Sequence, residues 1–263
     1  MLREILEKTE KYKDRLSLSI TKLKVYESCP YRYYLQNIVK EKVPKSEYNP
    51  KFFKIGQYAH KYMESKFKNI PCQFKSSSLT KDDYENTSKK CDIALETPFV
   101  KKLLNLDYET EMPFSMNFMS DGTVEVSDKY SRKSDFAGFI DYYGIDKKEN
   151  TLYVIDWKTG NVAKDNDETF LQVYLYAYAL NVILKTRPFD KIVVGYYYLD
   201  HNEKLIREVK MTDLQRTIEN LISRGLEIPH SDKAEDFPAT PSEFVCKWCP
   251  YGYNGTGSCE FKK

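Results

Sequence analysis

No apolar run in this 263-residue chain approaches the length of a bilayer span, so no transmembrane helix is expected. The opening Met1-Leu-Arg-Glu-Ile also lacks the apolar segment of a secretory signal. The expectation is a soluble protein of a bacterial or archaeal cytoplasm, or of a virus-infected host cell, with no membrane partner. Internal repeats and low-complexity tracts are absent too, which leaves out solenoids and biased linkers. Nor is there an excess of one charge: 41 Lys/Arg against 39 Asp/Glu give a formal net charge of +2, too little for a general attraction to nucleic acid. The distribution is less even. Residues 1–68 hold 16 Lys/Arg against 8 Asp/Glu, and the remainder 25 against 31. A basic front end is what a phosphate-binding face looks like, and also what a solvated helical surface looks like.

What is present, at 41% hydrophobic content, suffices for a sizeable core and for one elaborated domain over 1–263. Its parts would be a mainly helical, basic 1–106, a catalytic sheet core over 107–226 and a cysteine-rich tail over 227–263. Residues 2–15 read as a charged helix. Ser19 offers a cap for a second helix, which runs to about Lys40 and is interrupted at Pro30. A loop over Lys42–Pro50 leads to a helix carrying Gly56 and His60 one turn apart. Residues 71–90 read as a polar surface loop, followed by a helix up to Leu106. From Tyr108 the period changes, and strands are expected over 109–118, 124–126, 136–145 and 152–157. A polar loop, an apolar helix over Phe170–Leu184, strands over 191–199 and 204–209, and a helix from Thr212 to about Arg224 complete the core. Residues 227–241 read as coil, and the tail from Cys246 as irregular. The order describes an α/β fold: a mixed central sheet with helices on both faces.

Two of these strands carry acids in apolar surroundings. Phe139-Ile-Asp141 is followed by Tyr153-Val-Ile-Asp156-Trp-Lys158, and alternation points Asp156 and Lys158 to one face and Ile155 and Trp157 to the other. Two carboxylates beside an ammonium suit metal-assisted cleavage of a phosphodiester. The plainer reading is a strand salt bridge, but charged groups at the ends of buried strands are costly unless they serve a purpose. Gln172 and Tyr176, four apart on the apolar helix, would bring an amide and a phenol to the same place, or be ordinary helix residues. His60 is a structural hydrogen-bonder or, with two carboxylates, part of a mixed N/O site that favours Mn²⁺ without excluding Mg²⁺.

Six cysteines in a reducing compartment read as metal ligands or buried thiols rather than disulfides. Cys246 and Cys249 form a CxxC, Cys259 follows, and Cys29 is the natural fourth; Cys72 and Cys91 look like spare thiols. One distant cysteine plus a C-terminal trio suits an iron–sulfur cluster better than a zinc ribbon, although zinc stays open. The 22 tyrosines include material for stacking unpaired bases.

These segments together resemble the RecB-like exonucleases of the PD-(D/E)XK superfamily. The matching stretches are Leu18-Ser-Ile-Thr-Lys-Leu-Lys-Val-Tyr-Glu-Ser-Cys29-Pro-Tyr-Arg-Tyr-Tyr, Gly56-x-x-x-His60, Gly138-Phe-Ile-Asp141, Ile155-Asp156-Trp-Lys158-Thr-Gly, Gln172-x-x-x-Tyr176 and the terminal cysteines. The subgroup with a 4Fe-4S cluster stapling the two ends includes the CRISPR adaptation nucleases. The resemblance implies a restriction-endonuclease-like fold in which His60, Asp141, Asp156 and the Trp157 carbonyl hold Mn²⁺ or Mg²⁺. Lys158 would be catalytic, Gln172 and Tyr176 substrate-orienting, and Cys29, Cys246, Cys249 and Cys259 the cluster ligands. A further glutamate on an earlier strand is expected, and Glu109 and Glu111 both qualify. The gap from Cys249 to Cys259 is longer than is usual in the subgroup. The implied activity is DNA exonuclease action, from single-stranded ends, with recombination or CRISPR adaptation proteins as partners. The rival is a non-catalytic DNA-end-binding module of a recombination complex.

Overall fold

A computed structural model of the chain describes residues 19–42, 50–118, 124–184 and 188–261. The expected helix over 2–15 and most of the expected loop over 42–50 lie outside these residues. In chain order the helices are α1 Ile20–Ser28, α2 Pro30–Tyr33, α3 Pro50–Phe67, α4 Lys81–Leu95, α5 Pro98–Leu104, α6 Asp167–Ile183, α7 Met211–Gly225 and α8 Glu243–Lys247. The strands are β1 Asp107–Phe118, β2 Val124–Ser127, β3 Phe136–Asp146, β4 Thr151–Lys158, β5 Lys191–Tyr198 and β6 Glu203–Val209. The described residues form two compact units, one lying within 50–219, the other of residues 19–42 with 220–261.

The first unit is built on a six-stranded sheet in the order β2-β1-β3-β4-β5-β6. Only β4 and β5 run parallel; the other pairs are antiparallel. A parallel pair needs a crossover, and α6 supplies it. Asn166 caps α6 by accepting from the Thr169 N–H at 2.9 Å, and Asp167 and Glu168 sit in the first turn, where the helix dipole favours acids. Its residues from Phe170 to Leu180 are buried nearly all round, as a helix without a polar stripe must be. The odd positions of β4, Tyr153, Ile155 and Trp157, join Ala59, Met63 and Phe67 of α3 and Leu103 of α5 in one apolar core. The even positions Asp156 and Lys158 point the other way, toward α6.

The expectation for residues 71–106 needs correction. Residues 81–95 are helix α4, not a surface loop, and the helix expected up to Leu106 is divided, with Pro98 opening α5. The start of α4 is a capping box: the Asp83 N–H donates to Thr80 Oγ1 at 3.3 Å, and the Thr80 N–H donates to Asp83 Oδ2 at 2.8 Å. The buried face of α4 is Thr87, Cys91 and Ala94, which is helical spacing in residues too small or polar to read as an apolar stripe.

In the second unit Ser19 caps α1 by accepting from the Lys22 N–H, as expected. The break falls at Cys29, whose backbone is extended (φ −166°), and Pro30 opens α2, where a missing N–H costs nothing. The chain continues as a π-helical turn over Tyr34–Val39. Segments some two hundred residues apart are tied together here. Arg224 grips both oxygens of Glu27 at 2.6 and 2.8 Å, Tyr26 donates to the Glu227 carbonyl at 3.0 Å, and Thr240 donates to that of Ser28 at 3.0 Å. The coil expected over 227–241 holds one 3₁₀ turn, Ala234–Asp236, and Cys246 ends up on the short helix α8 rather than in irregular chain.

Candidate active site

The ladder of β1, β3 and β4 places three acids in a row. Thr110 pairs with Tyr142 and Met112 with Ile140, which sets Glu111 opposite Asp141. Tyr142 pairs with Ile155, and the next step sets Asp141 opposite Asp156. His60, from α3, reaches the same point: its Nδ1 lies 3.1 Å from Asp141 Oδ2. His60, Glu111 and Asp141 bring one ligand atom each within 4.8 Å of one another, a grouping no other trio of histidine, cysteine or acid achieves among the described residues.

The sequence leaves Glu109 and Glu111 undecided, and the geometry separates them. Glu109 accepts from the Tyr143 hydroxyl at 2.9 Å and is not one of the trio. Glu111 has φ 55°, a left-handed backbone that a non-glycine residue adopts at a cost on the order of 1–3 kcal/mol. It sits between Asp141 and Lys61, whose Nζ is 3.3 Å from its carboxylate. Burial, then the charge of Asp141, raises the Glu111 carboxyl above its usual range, against the pull of Lys61 and His60.

Asp141 and Asp156 are both buried. Asp141 Oδ2 accepts from the Trp157 N–H at 2.9 Å, which pins the carboxylate to the neighbouring strand. The Trp157 indole itself is 2% exposed in the core, so only the backbone of this residue can serve the site. Lys158 Nζ stands 2.6 Å from Asp156 Oδ2, yet that oxygen is buried with no aligned hydrogen-bond donor. Burial and the Asp141 charge raise the Asp156 carboxyl, offset by Lys158 and His60. Burial alone would lower His60 and Lys158. The facing acids overcome it, taking His60 up to about 9 and keeping Lys158 raised and charged.

Behind the lysine runs a relay of polar contacts. Lys158 donates to Gln172 Oε1 at 3.1 Å, and Gln172 Nε2 donates to the Tyr176 hydroxyl at 2.6 Å. Gln172 and Tyr176 therefore do share one face of α6 with the lysine. Tyr176 is buried, with its hydroxyl raised by burial and by the two aspartates. Two residues that sequence reasoning passes over also belong here. Tyr196, level with Asp156 on β5, has Lys158 Nζ 5.2 Å above its ring, and its hydroxyl donates to the Thr169 carbonyl at 2.6 Å. Lys61 holds Glu111; its signal was its place one residue after His60.

The cysteines sit in the second unit. Cys29, Cys246 and Cys249 are buried, Cys259 is half-buried, and all are free thiols. Burial raises Cys249 and Cys259, and each also feels its fellows: Cys29 acts on Cys249, and all three others act on Cys259. The four thus share one neighbourhood, lined by Leu35, Tyr251, Tyr31 and Tyr34. Gly252 is required in it, because a Cβ there would collide with the Cys246 carbonyl oxygen.

No helix among the described residues is long and apolar enough to cross a membrane. Two solved structures are similar to this chain. One is a protein from Eubacterium rectale, provisionally assigned as an exonuclease, with 12% identity, TM-score 0.49, and coverage of 84% of this chain and 85% of that one. The other is the protein SSO0001, with 15% identity, TM-score 0.38, and coverage of 100% and 95%. No curated protein matches the chain. A family model described as the PD-(D/E)XK nuclease superfamily matches residues 17–252, across the sheet, the acid row and both units. The six-stranded mixed sheet flanked by helices is the restriction-endonuclease-like fold of that family, and the chain belongs to the PD-(D/E)XK nuclease superfamily.

Proposed function

We propose that the protein is a DNA exonuclease that hydrolyses phosphodiester bonds from single-stranded ends with Mn²⁺ or Mg²⁺, in recombination, repair or CRISPR adaptation. The observation that carries this reading is the acid row with Lys158 beside it. The donor set fits a hard divalent cation: carboxylate oxygens and one imidazole nitrogen, with Asp156 Oδ2 buried and lacking an aligned donor. Glu111, Asp141, Asp156 and His60 would hold the ion, with the Trp157 carbonyl completing the set. When bound, the ion supplies Lewis-acid stabilisation and a water acidic enough to attack.

The remaining work falls to the protein's own side chains. Lys158, kept charged between Asp156 and Gln172, offers a positive group to the negative charge that grows on the phosphate. Tyr176 and Gln172 hold the lysine's amine in place, so that it is aimed before substrate arrives. His60, tied to Asp141, keeps that carboxylate from turning away.

The second unit supports a structural 4Fe-4S cluster on Cys29, Cys246, Cys249 and Cys259. The four thiols share one neighbourhood, and one distant cysteine with a C-terminal trio suits an iron–sulfur cluster better than a zinc ribbon.

The test is digestion of an end-labelled single strand with Mn²⁺ by the purified protein and by Asp156→Ala. Loss of at least about a thousandfold in kcat is expected for the variant. Undiminished digestion by Asp156→Ala would sink the mechanism.

A further inference from the structure

Two large aromatic side chains stand in the open beside the acid row. Tyr130, in the β2–β3 connection, is 45% exposed, and Phe139, on β3, is 46% exposed. Their rings stack with centroids 5.4 Å apart and planes 16° apart. Such a pair keeps a flat apolar surface in water, which is unfavourable unless something covers it in use. The connection carrying Tyr130 is held in shape by local bonds. The N–H groups of Lys129 and Lys133 donate to Ser127 Oγ and Ser131 Oγ, and that of Ser134 donates to the Ser131 carbonyl. Within three residues of Tyr130 in sequence are three exposed cations, Lys129, Arg132 and Lys133, with Asp128 and Asp135 at the ends of the segment. None of the three cations takes part in an ion pair among the described residues. Phe139 precedes Asp141 by two strand residues, about 7 Å along β3.

We propose that the Tyr130–Phe139 stack is a platform for one unpaired base of the DNA substrate, and that it fixes which phosphate is presented to Asp141. The inference rests on the nuclease reading above and adds the residues that position the strand. An aromatic face takes any base, because every base has a π-face, while cations beside it neutralise the flanking phosphates. A base inside a duplex has both faces already stacked, so the platform favours single strands. The ion-binding row and the platform then divide the work: one handles the bond, the other its distance from the strand end.

Two measurements test this with Tyr130→Ala, a change at an exposed loop residue, and Tyr130→Phe, which keeps the ring. The first is steady-state digestion of a labelled single strand with Mn²⁺, and of the same strand with abasic sites near its end. Tyr130→Ala is expected to raise KM between about five- and a hundredfold on the ordinary strand, with kcat within about twofold. Tyr130→Phe should match wild type, and on the abasic strand wild type and Tyr130→Ala should have the same KM. An unchanged KM for Tyr130→Ala, or the same rise on both strands, overturns the platform. The second is binding in EDTA of a strand carrying 2-aminopurine, whose emission wild type should quench and Tyr130→Ala should not. Equal quenching overturns the platform whether or not any strand is digested. A wild type that digests nothing with any divalent ion overturns the nuclease reading alone, and the binding result still decides the platform.

Discussion

The acid row and the cysteine group are held by different means. Glu111, Asp141 and Asp156 lie on three neighbouring strands, so their spacing is set by the backbone ladder before any side chain packs. Cys29, Cys246, Cys249 and Cys259 come from a helix break, a five-residue helix, a turn and a tail. Helices of 9, 4 and 5 residues do not stand alone in water, and side-chain bonds such as Arg224 to Glu27 hold them together. The rigid region can tolerate groups that destabilise it, namely buried acids with raised pKa values and a left-handed Glu111. The second region gathers four thiols instead, of which Cys249 and Cys259 are raised by burial.

The largest expected effect breaks the two regions apart. Lys158→Ala should lower kcat at least about a thousandfold with its melting temperature within a few degrees of wild type, read by digestion and by calorimetry. The double variant Cys246→Ser, Cys249→Ser should do the reverse first: loss of absorbance near 400 nm and a fall in melting temperature of roughly 10 °C or more. If the cysteine variant melts like wild type, the staple idea fails. A smaller effect sharpens the description of the row. Glu111→Gln should raise the Mn²⁺ concentration for half-maximal rate by about tenfold or more, while Glu109→Gln changes it less than about twofold. Reversed results would return the ligand to Glu109.

The smallest effect concerns a thiol outside both sites. Burial, with a smaller push from Asp92 and Asp200, takes Cys91 up to about 12. A group raised in the folded state keeps its proton there, so its contribution to stability is intact below the ordinary thiol range and is lost as pH climbs toward 12. Iodoacetamide at pH 8 should therefore leave Cys91 unlabelled in the folded protein and label it after denaturation, as mass spectrometry of the digested protein will show.

Much of this was legible in the chain. The β4 alternation in Tyr153–Lys158 announced both the core face and the chemical face, and Pro30 announced the break beside Cys29. The choice between Glu109 and Glu111 was not legible, since both have the same parity on one strand and only a backbone angle of 55° separates their roles. Helix α4 escaped because its buried face is made of Thr87, Cys91 and Ala94. The Tyr130–Phe139 stack escaped because the two residues are joined by a loop rather than by any period, and no sequence pattern reports that two rings have met.

The second unit is assembled from both flanks of the described chain, residues 19–42 and 220–261. During synthesis the first flank emerges with Tyr26, Tyr31, Tyr33 and Tyr34 lacking the groups they will pack against. At 5–20 residues per second, roughly 200 further residues take on the order of 10–40 s to appear. The ribosome therefore delivers the sheet well before Cys29 can meet Cys259, and whatever shields the waiting segment must last that long.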